Sequence, residues 1–436
     1  MNNKGFTLIE LLAVVILLIT ISLFVMPRIV DVIKDGDKTK ENITKNKIIE
    51  AAKEYVGEYN TTFLNDLVNV GDSKYIDKEE LINNKLLDTK DIGDIPFIKV
   101  KVILKEDNKI EYIIVDSATV SRPNYGNAVD YINNLYDIED FRKEDGLKKD
   151  NTSDANIRYE GANPNNYVSF NDELWRIIGV FGDNIKLVRS EELGKLSWDS
   201  SDSSVNNGWG VNEWSQADLK EYLNTMYYGG TSVTCYFGNN NSTTTCPTNS
   251  LNATAKSMID YHVWNTGAIN LEDTTIVNLE TFAVNTVSFY NAERGSVNGK
   301  ICTSGTGCND TVERTTTWPG YVALPYATDW AYASSETACA TNMNDGFDAA
   351  NYNYDNMTCN KNNWMHHGST MDEAMWMLSP SAYSHHAYGV WRVSGGGNVG
   401  GGSASYALSV FPSVYLNSNV EITSGSGSSS DPYILK

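Results

Sequence analysis

Hydrophobic and polar positions divide this chain into stretches of distinct rhythm. From Phe6 to Met26 almost every position is apolar, broken only by Glu10 and a few hydroxyls. At 1.5 Å per helical residue such a run spans ~30 Å, about one bilayer core, and predicts a membrane-crossing helix. Beyond it Ile29, Val30, Val32, Ile33, Ile43, Ile48, Ile49, Ala52, Tyr55, Val56 and Tyr59 keep a helical spacing with Lys, Asp and Glu between. The helix is therefore expected to reach about Asn60. Pro27 removes an amide that would bond the Leu23 carbonyl, which predicts a kink there.

The next pattern, in residues 61–117, is a helix around 78–86 followed by two alternating runs, 97–104 and 109–115. The polar residues 105–108 between them predict a hairpin turn. Residues 118–158 are charged, with little apolar rhythm, and read as a linker carrying one short helix near 128–136. A new core begins at Tyr159. Residues 167–170, 175–181 and 184–188 alternate as strands, a helix is expected at 217–222, and 228–364 is rich in loops. Strand character returns at 374–378, 410–416 and 431–435. The predicted class is α+β: a long N-terminal helix (6–60, with 6–26 spanning), a small α+β head (61–117), a linker (118–158), and a mixed α+β domain with long loops (159–436).

Glu10 is the misfit in the apolar run, since a carboxylate inside a spanning helix costs roughly 3 kcal/mol or more unless paired. Cleavage after Gly5 would create an amine on Phe6 one turn away. A secretory signal fits poorly, because the apolar run is too long and lacks a small-x-small end. Gly5-Phe6-Thr7-Leu8-Ile9-Glu10 resembles the class III signal of type IV prepilins and pseudopilins, and Pro27 sits where that family's helix carries a proline. The resemblance implies a leader at 1–5, and a prepilin peptidase that cuts between Gly5 and Phe6 and methylates Phe6. It also implies that Glu10 neutralises the amine of a neighbouring pilin subunit. The implied location is the cytoplasmic membrane as a single-pass protein, then the cell surface or pilus, with the C-terminal domain extracellular.

The chain has 436 residues and a net charge of −21, which argues against nucleic acid as a partner. An apolar content of 41%, with 11% aromatics, is too rich for disorder. Six cysteines lie in order as Cys235 and Cys246, Cys302 and Cys308, Cys339 and Cys359. None forms a CxxC or has histidine at zinc-ligand spacing, so they read as disulfides of an oxidising compartment. The three local pairings are expected, because each intervening loop is short and rich in Gly, Asn, Thr or Ser.

Within the second domain NYVSFNDELWRIIGV, WSQADLKEYLN and FPSVYLNSNVEITSGSGSSSDPYIL resemble C-type-lectin-like modules attached to prepilins and surface proteins. That family has a few helices flanking a twisted sheet, long loops, and termini close together. No Glu-Pro-Asn or Trp-Asn-Asp calcium motif is present, so calcium-dependent sugar binding is not implied.

Candidate contact chemistry concentrates in residues 381–406, SAYSHHAYGVWRVSGGGNVGGGSASY. Aromatics with Ser, Gly, Asn, Arg and His are what recognition surfaces use. The expected ligand-binding residues are Tyr383, Ser384, His385, His386, Tyr388, Trp391, Arg392, Ser394, Gly395, Gly396, Asn398, Gly400, Gly401, Ser403, Ser405 and Tyr406. Most of these types are reachable by changing adenines in an Asn codon, and Trp391, Val393 and Val399 interrupt them as scaffold. This resembles the variable region of proteins diversified by retroelements, which place it on a C-type-lectin-like fold near the C-terminus. A plain Gly-rich loop would give the same composition.

Enzyme chemistry is less well supported. His366-His367 or His385-His386 with Asp372 or Glu373 could ligate a metal, yet adjacent histidines on a strand point opposite ways. Neither a G-x-S-x-G nor a phosphate-binding glycine loop occurs. The expectation is a non-enzymatic, minor pilin-like subunit, without cofactor or metal, that displays an adhesin or receptor domain for an unknown extracellular protein or glycan. The alternative is a structural pseudopilin of a secretion or DNA-uptake filament with the C-terminal domain as cap; a surface hydrolase comes third.

Overall fold

A computed structural model of the protein describes residues 42–59, 62–67, 70, 73–92, 97–116, 122–201, 208–295, 308–310, 312–367 and 373–436. They fall into two compact units, divided between Arg122 and Pro123. In the first unit, helix α1 (residues 42–54) continues as a wider π-helical turn at Tyr55–Tyr59. Ile48, Ala51, Ala52, Tyr55 and Val56 are all buried and recur at helical spacing. They share one cluster with Ile76, Leu81, Val100, Val102 and Leu104. The strands β1 (Ser73–Asp77), β2 (Phe97–Leu104) and β3 (Ile110–Asp116) form an antiparallel sheet in that order, with α2 (Lys78–Asn83) between the first two. Asp107 turns the β2–β3 hairpin with φ 59°, a conformation Asp tolerates better than most residues.

The second unit opens with β4 (Gly126–Asn127), α3 (Ala128–Asp137), α4 (Glu139–Asp145), β5 (Leu147–Lys149) and β6 (Ile157–Tyr159). Next come β7 (Tyr167–Phe170), β8 (Glu173–Phe181), β9 (Asn184–Arg189) and β10 (Lys195–Ser197). The middle supplies β11 (Ile269–Asn270), α5 (Thr286–Glu293), β12 (Val322–Ala323) and α6 (Ala327–Tyr332). The last quarter holds β13 (Met375–Ala382), β14 (Gly389–Val393), β15 (Val399–Ser403), β16 (Ala407–Ser409), β17 (Ser413–Tyr415), β18 (Glu421–Ser424) and β19 (Tyr433–Leu435).

Two sheets carry this unit. The larger runs β12-β17-β9-β8-β7-β19-β18-β4, with β6 beside β8 and β5 beside β6. Its first and last strands in sequence, β4 and β19, both flank β18, so the start and end of the unit share one sheet. The second sheet runs β10-β16-β13-β14-β15, with β11 alongside β13. In β8 the run Trp175, Ile177, Ile178 and Val180 is buried throughout, as expected of a strand covered on both faces. The β7–β8 turn places Asn171 at φ 59° and Asp172 at φ 60°, the paired positive φ of a tight type I′ hairpin.

Charge is also built into this interior. Arg158 donates to Asp150 at 2.6 Å and to Asp329 at 2.7 Å, and Lys186 reaches the other Asp329 oxygen at 2.5 Å. All four side chains are buried. Burial pushes the Asp329 carboxyl up, but Lys186 and Arg158 more than offset it and hold the group below the usual carboxylate range. The cluster ties β6 and β9 to α6.

Among the described residues the architecture is not that of an α+β protein organised around a long N-terminal helix: sheets dominate and, α1 apart, the helices are short, such as ten-residue α3 and six-residue α6. Glycine, asparagine and threonine break the helical runs, while alternating Val, Ile, Trp and Tyr pair as strands. Of the expected helix 6–60, helical structure is described only from residue 42, and Pro27 lies outside the described residues. The single-pass membrane location is corrected as well, since among the described residues no helix is long and apolar enough to cross a membrane. The run 6–26, with Gly5, Phe6 and Glu10, lies outside them. Residues 118–158, read as a linker, contribute β4, α3, α4, β5 and the start of β6, all within the second unit.

Among the described residues two disulfides are seen, Cys235–Cys246 and Cys339–Cys359; of the expected Cys302–Cys308 pair, Cys302 lies outside the described residues.

Candidate functional site

The glycine-rich stretch is a hairpin. Strand β14 pairs antiparallel with β15, setting Trp391 opposite Gly401, Arg392 opposite Gly400 and Val390 opposite Gly402. Residues without side chains on one strand leave room for large ones on the other. A Cβ at residue 402 would meet Arg392 Cδ at 2.8 Å and Nε at 2.9 Å, so glycine lets the guanidinium lie across β15. At residue 396 a Cβ would strike the Tyr354 ring at 2.4 Å. Gly401 differs, for nothing lies within 4 Å of where its Cβ would stand.

This hairpin forms one side of a cleft of about 720 Å³. The opposite wall comes from elsewhere in the chain: Phe282 and Val284 from a small hairpin, and Asn344, Phe347, Tyr352 and Tyr354 from a loop. Phe347 packs on Phe282 at 5.5 Å, Tyr352 at 6.1 Å and Tyr354 at 5.3 Å. Trp209 stands at the near side, 6.1 Å from Tyr388 and 6.3 Å from Tyr406. The rings at the mouth are accessible: Tyr352 is 60% exposed, Tyr406 45% and Trp209 36%.

Two of these aromatics carry strain. Phe282 has φ 58° and Tyr352 φ 49°, a left-handed backbone that costs a bulky residue about 1–3 kcal/mol and recurs at ligand sites. Asn344 holds the two sides together. Its amide accepts from Val399 N at 2.8 Å and donates to Val399 O and Phe282 O, each at 2.9 Å.

Five buried polar atoms on residues of the cleft wall have no hydrogen-bond partner among the described residues: Ser381 Oγ, His386 Nδ1, Trp391 Nε1, Arg392 Nε and Asn398 Nδ2. Several in the core, such as Trp175 Nε1 and Trp330 Nε1, also lack one. Such groups are uncommon, because each costs about 1–3 kcal/mol when left unmade. Burial lowers the pKa of His386, against the opposing pull of Asp310, which favours the neutral imidazole. Its ring stacks on Tyr388 at 4.1 Å. Burial likewise lowers the pKa of Arg392, with the Tyr354 and Tyr406 hydroxyls acting the other way.

Of the residues singled out in the sequence, His386, Tyr388, Trp391, Arg392, Asn398, Gly400, Gly401, Ser403 and Tyr406 line the cleft. Trp391 is only 1% exposed and packs edge-on against Phe289 at 4.8 Å, so it belongs to the wall's foundation, as do Val393 and Val399. Tyr383 and His385 pack on each other at 4.8 Å, and Ser384 donates to Glu272 at 2.6 Å. Ser394, Gly395 and Ser405 are buried, and Gly396 backs the Tyr354 ring. His367 stacks on Phe411 at 4.6 Å, and burial, reinforced by Arg176 and His366, lowers its pKa to about 4. Asp372 is outside the described residues.

Sequence reading missed Trp209, Phe282, Asn344, Phe347, Tyr352 and Tyr354. The clustered rings of FDAANYNYDN were the available signal, but nothing local tied them to a strand 40 or more residues away. No protein-family model, no curated protein and no solved structure matches this chain.

Proposed function

We propose that the second unit is a recognition domain that seats its ligand in the cleft between the β14–β15 hairpin and the Phe282–Tyr354 wall. One observation carries this reading: rings from distant segments converge on one concavity, beside the unpaired polar side chains of residues 381–398. Concave sites with apolar walls and a few placed polar groups are how proteins hold ligands. A plain flexible loop would have no need of strained aromatics or of the Asn344 clasp. The residue types of 381–406 support the further reading that the contact positions are diversified while Trp391, Val393 and Val399 keep the frame.

Gly401→Trp tests the site, because a Cβ at this exposed position of the cleft meets no atom within 4 Å. Full-length wild type and variant are applied to an array of glycans and peptides. The variant should lose the wild-type signals while its melting temperature stays within a few degrees. Signals shared equally by both proteins would place recognition elsewhere.

The Gly5-Phe6…Glu10 motif supports a second element of the proposal: the domain is presented by a pilin-like subunit after processing by a prepilin peptidase. Mass spectrometry of the mature protein should find an N-terminal methylated phenylalanine; an intact Met1 would remove this element and leave the cleft untouched.

A further inference from the structure

The cleft is unusual for what it lacks. In a chain with 55 acidic residues, none of the residues lining this cavity is Asp or Glu. The lining's one arginine, Arg392, has a buried and unpaired Nε, and among the described residues no carboxylate lies within ion-pair distance of it. A guanidinium half removed from water without a counter-ion is costly, and here its electrostatic neighbours are the neutral hydroxyls of Tyr354 and Tyr406.

The unpaired atoms have a common sense. On the half-buried residues of the wall, Arg392 Nε and Asn398 Nδ2 can only donate, and His386 Nδ1 can do so by tautomer. A cavity with surplus donors and a surplus cation calls for a partner that only accepts and is negatively charged. Aromatic rings face the same space, so the remainder of that partner presents a ring or its C–H face.

We infer that the ligand carries a carboxylate attached to a ring, the carboxylate received by Arg392 with Asn398 beside it and the ring held between the Trp209–Tyr406 and Phe347–Tyr354 sides. This rests on the recognition reading above and names its ligand class. A carboxylate accepts through two oxygens and matches the planar fork of arginine. Sugar acids and aromatic acids both have this chemistry.

The test is NMR titration of the full-length protein with glucuronate and with benzoate, each against its neutral counterpart, glucose and benzyl alcohol. At least one acid should bind about tenfold or more tightly than its counterpart, the advantage expected of a charge-assisted hydrogen bond. The arm that shows it identifies a sugar or an aromatic ring. Arg392→Gln should erase the acid preference while neutral compounds bind as before, and Arg392→Lys should retain part of it. Circular dichroism checks that each variant is folded. Equal binding of acids and neutral counterparts, persistence of the preference in Arg392→Gln, or no binding by either acid would overturn the inference. If neutral rings bind the wild type and are lost in Gly401→Trp, the cleft reading survives that failure; if every probe binds Gly401→Trp as well as wild type, both fall.

Discussion

Glu293, at the end of α5, has no access to solvent. Thr328 donates to it at 2.6 Å, and burial raises its pKa to about 7 despite the neighbouring Arg294. A carboxyl whose pKa rises on folding binds its proton more tightly in the native state. Its contribution to stability is full below the unfolded value near 4.5 and is lost as pH climbs through about 7. The loss amounts to roughly 3 kcal/mol if the whole shift is expressed. Glu293→Gln keeps the acceptor for Thr328 and removes the titration. Urea midpoints measured from pH 4 to 8 should therefore fall less steeply for the variant than for wild type, and parallel curves would show that Glu293 is not the titrating group. Asp329 works in the opposite sense: its lowered pKa contributes stability above the ordinary carboxylate range that is lost on acidification.

Among the elements, the segment bridged by Cys339 and Cys359 controls one wall of the cleft. The bridge closes a separation of 20 residues that includes Asn344, Phe347, Tyr352 and Tyr354. Loop closure of that size contributes about 3 kcal/mol in the chain-entropy account. Replacing both cysteines by serine should lower the urea-unfolding free energy by about that much, and weaken ligand binding more than the equivalent change at Cys235 and Cys246. Equal effects of the two pairs on binding would argue that the wall is held by packing alone.

Elements were legible in the sequence where periodicity is local. The β2–β3 and β7–β8 hairpins, helix α3 and the β9 strand lie within a residue or two of expectation, because alternation and Asn or Asp turns encode them directly. Residues 381–406 stood out by composition, yet their form did not: consecutive glycines read as a loop, whereas pairing against Trp391 and Arg392 makes β15 a strand. That outcome depends on large cross-strand partners rather than on intrinsic preference. The opposite wall was hidden for a related reason. Asn344 reaches Val399 across 55 residues, and no short-range pattern announces such a contact. The linker reading failed to see β4 because two residues pairing with β18 leave no periodic trace.

At the scale of the whole molecule, charge is unevenly spread. The chain carries a net charge of −21, while no residue lining the cleft is Asp or Glu. That contrast governs traffic as well as affinity. An anionic guest must diffuse through a repulsive halo before it meets Arg392, so its arrival is slowed most in dilute buffer. Raising ionic strength shrinks the halo to about 8 Å at physiological salt. Stopped-flow association of benzoate or glucuronate should accordingly quicken as sodium chloride is added, the reverse of the deceleration seen when opposite charges steer an encounter.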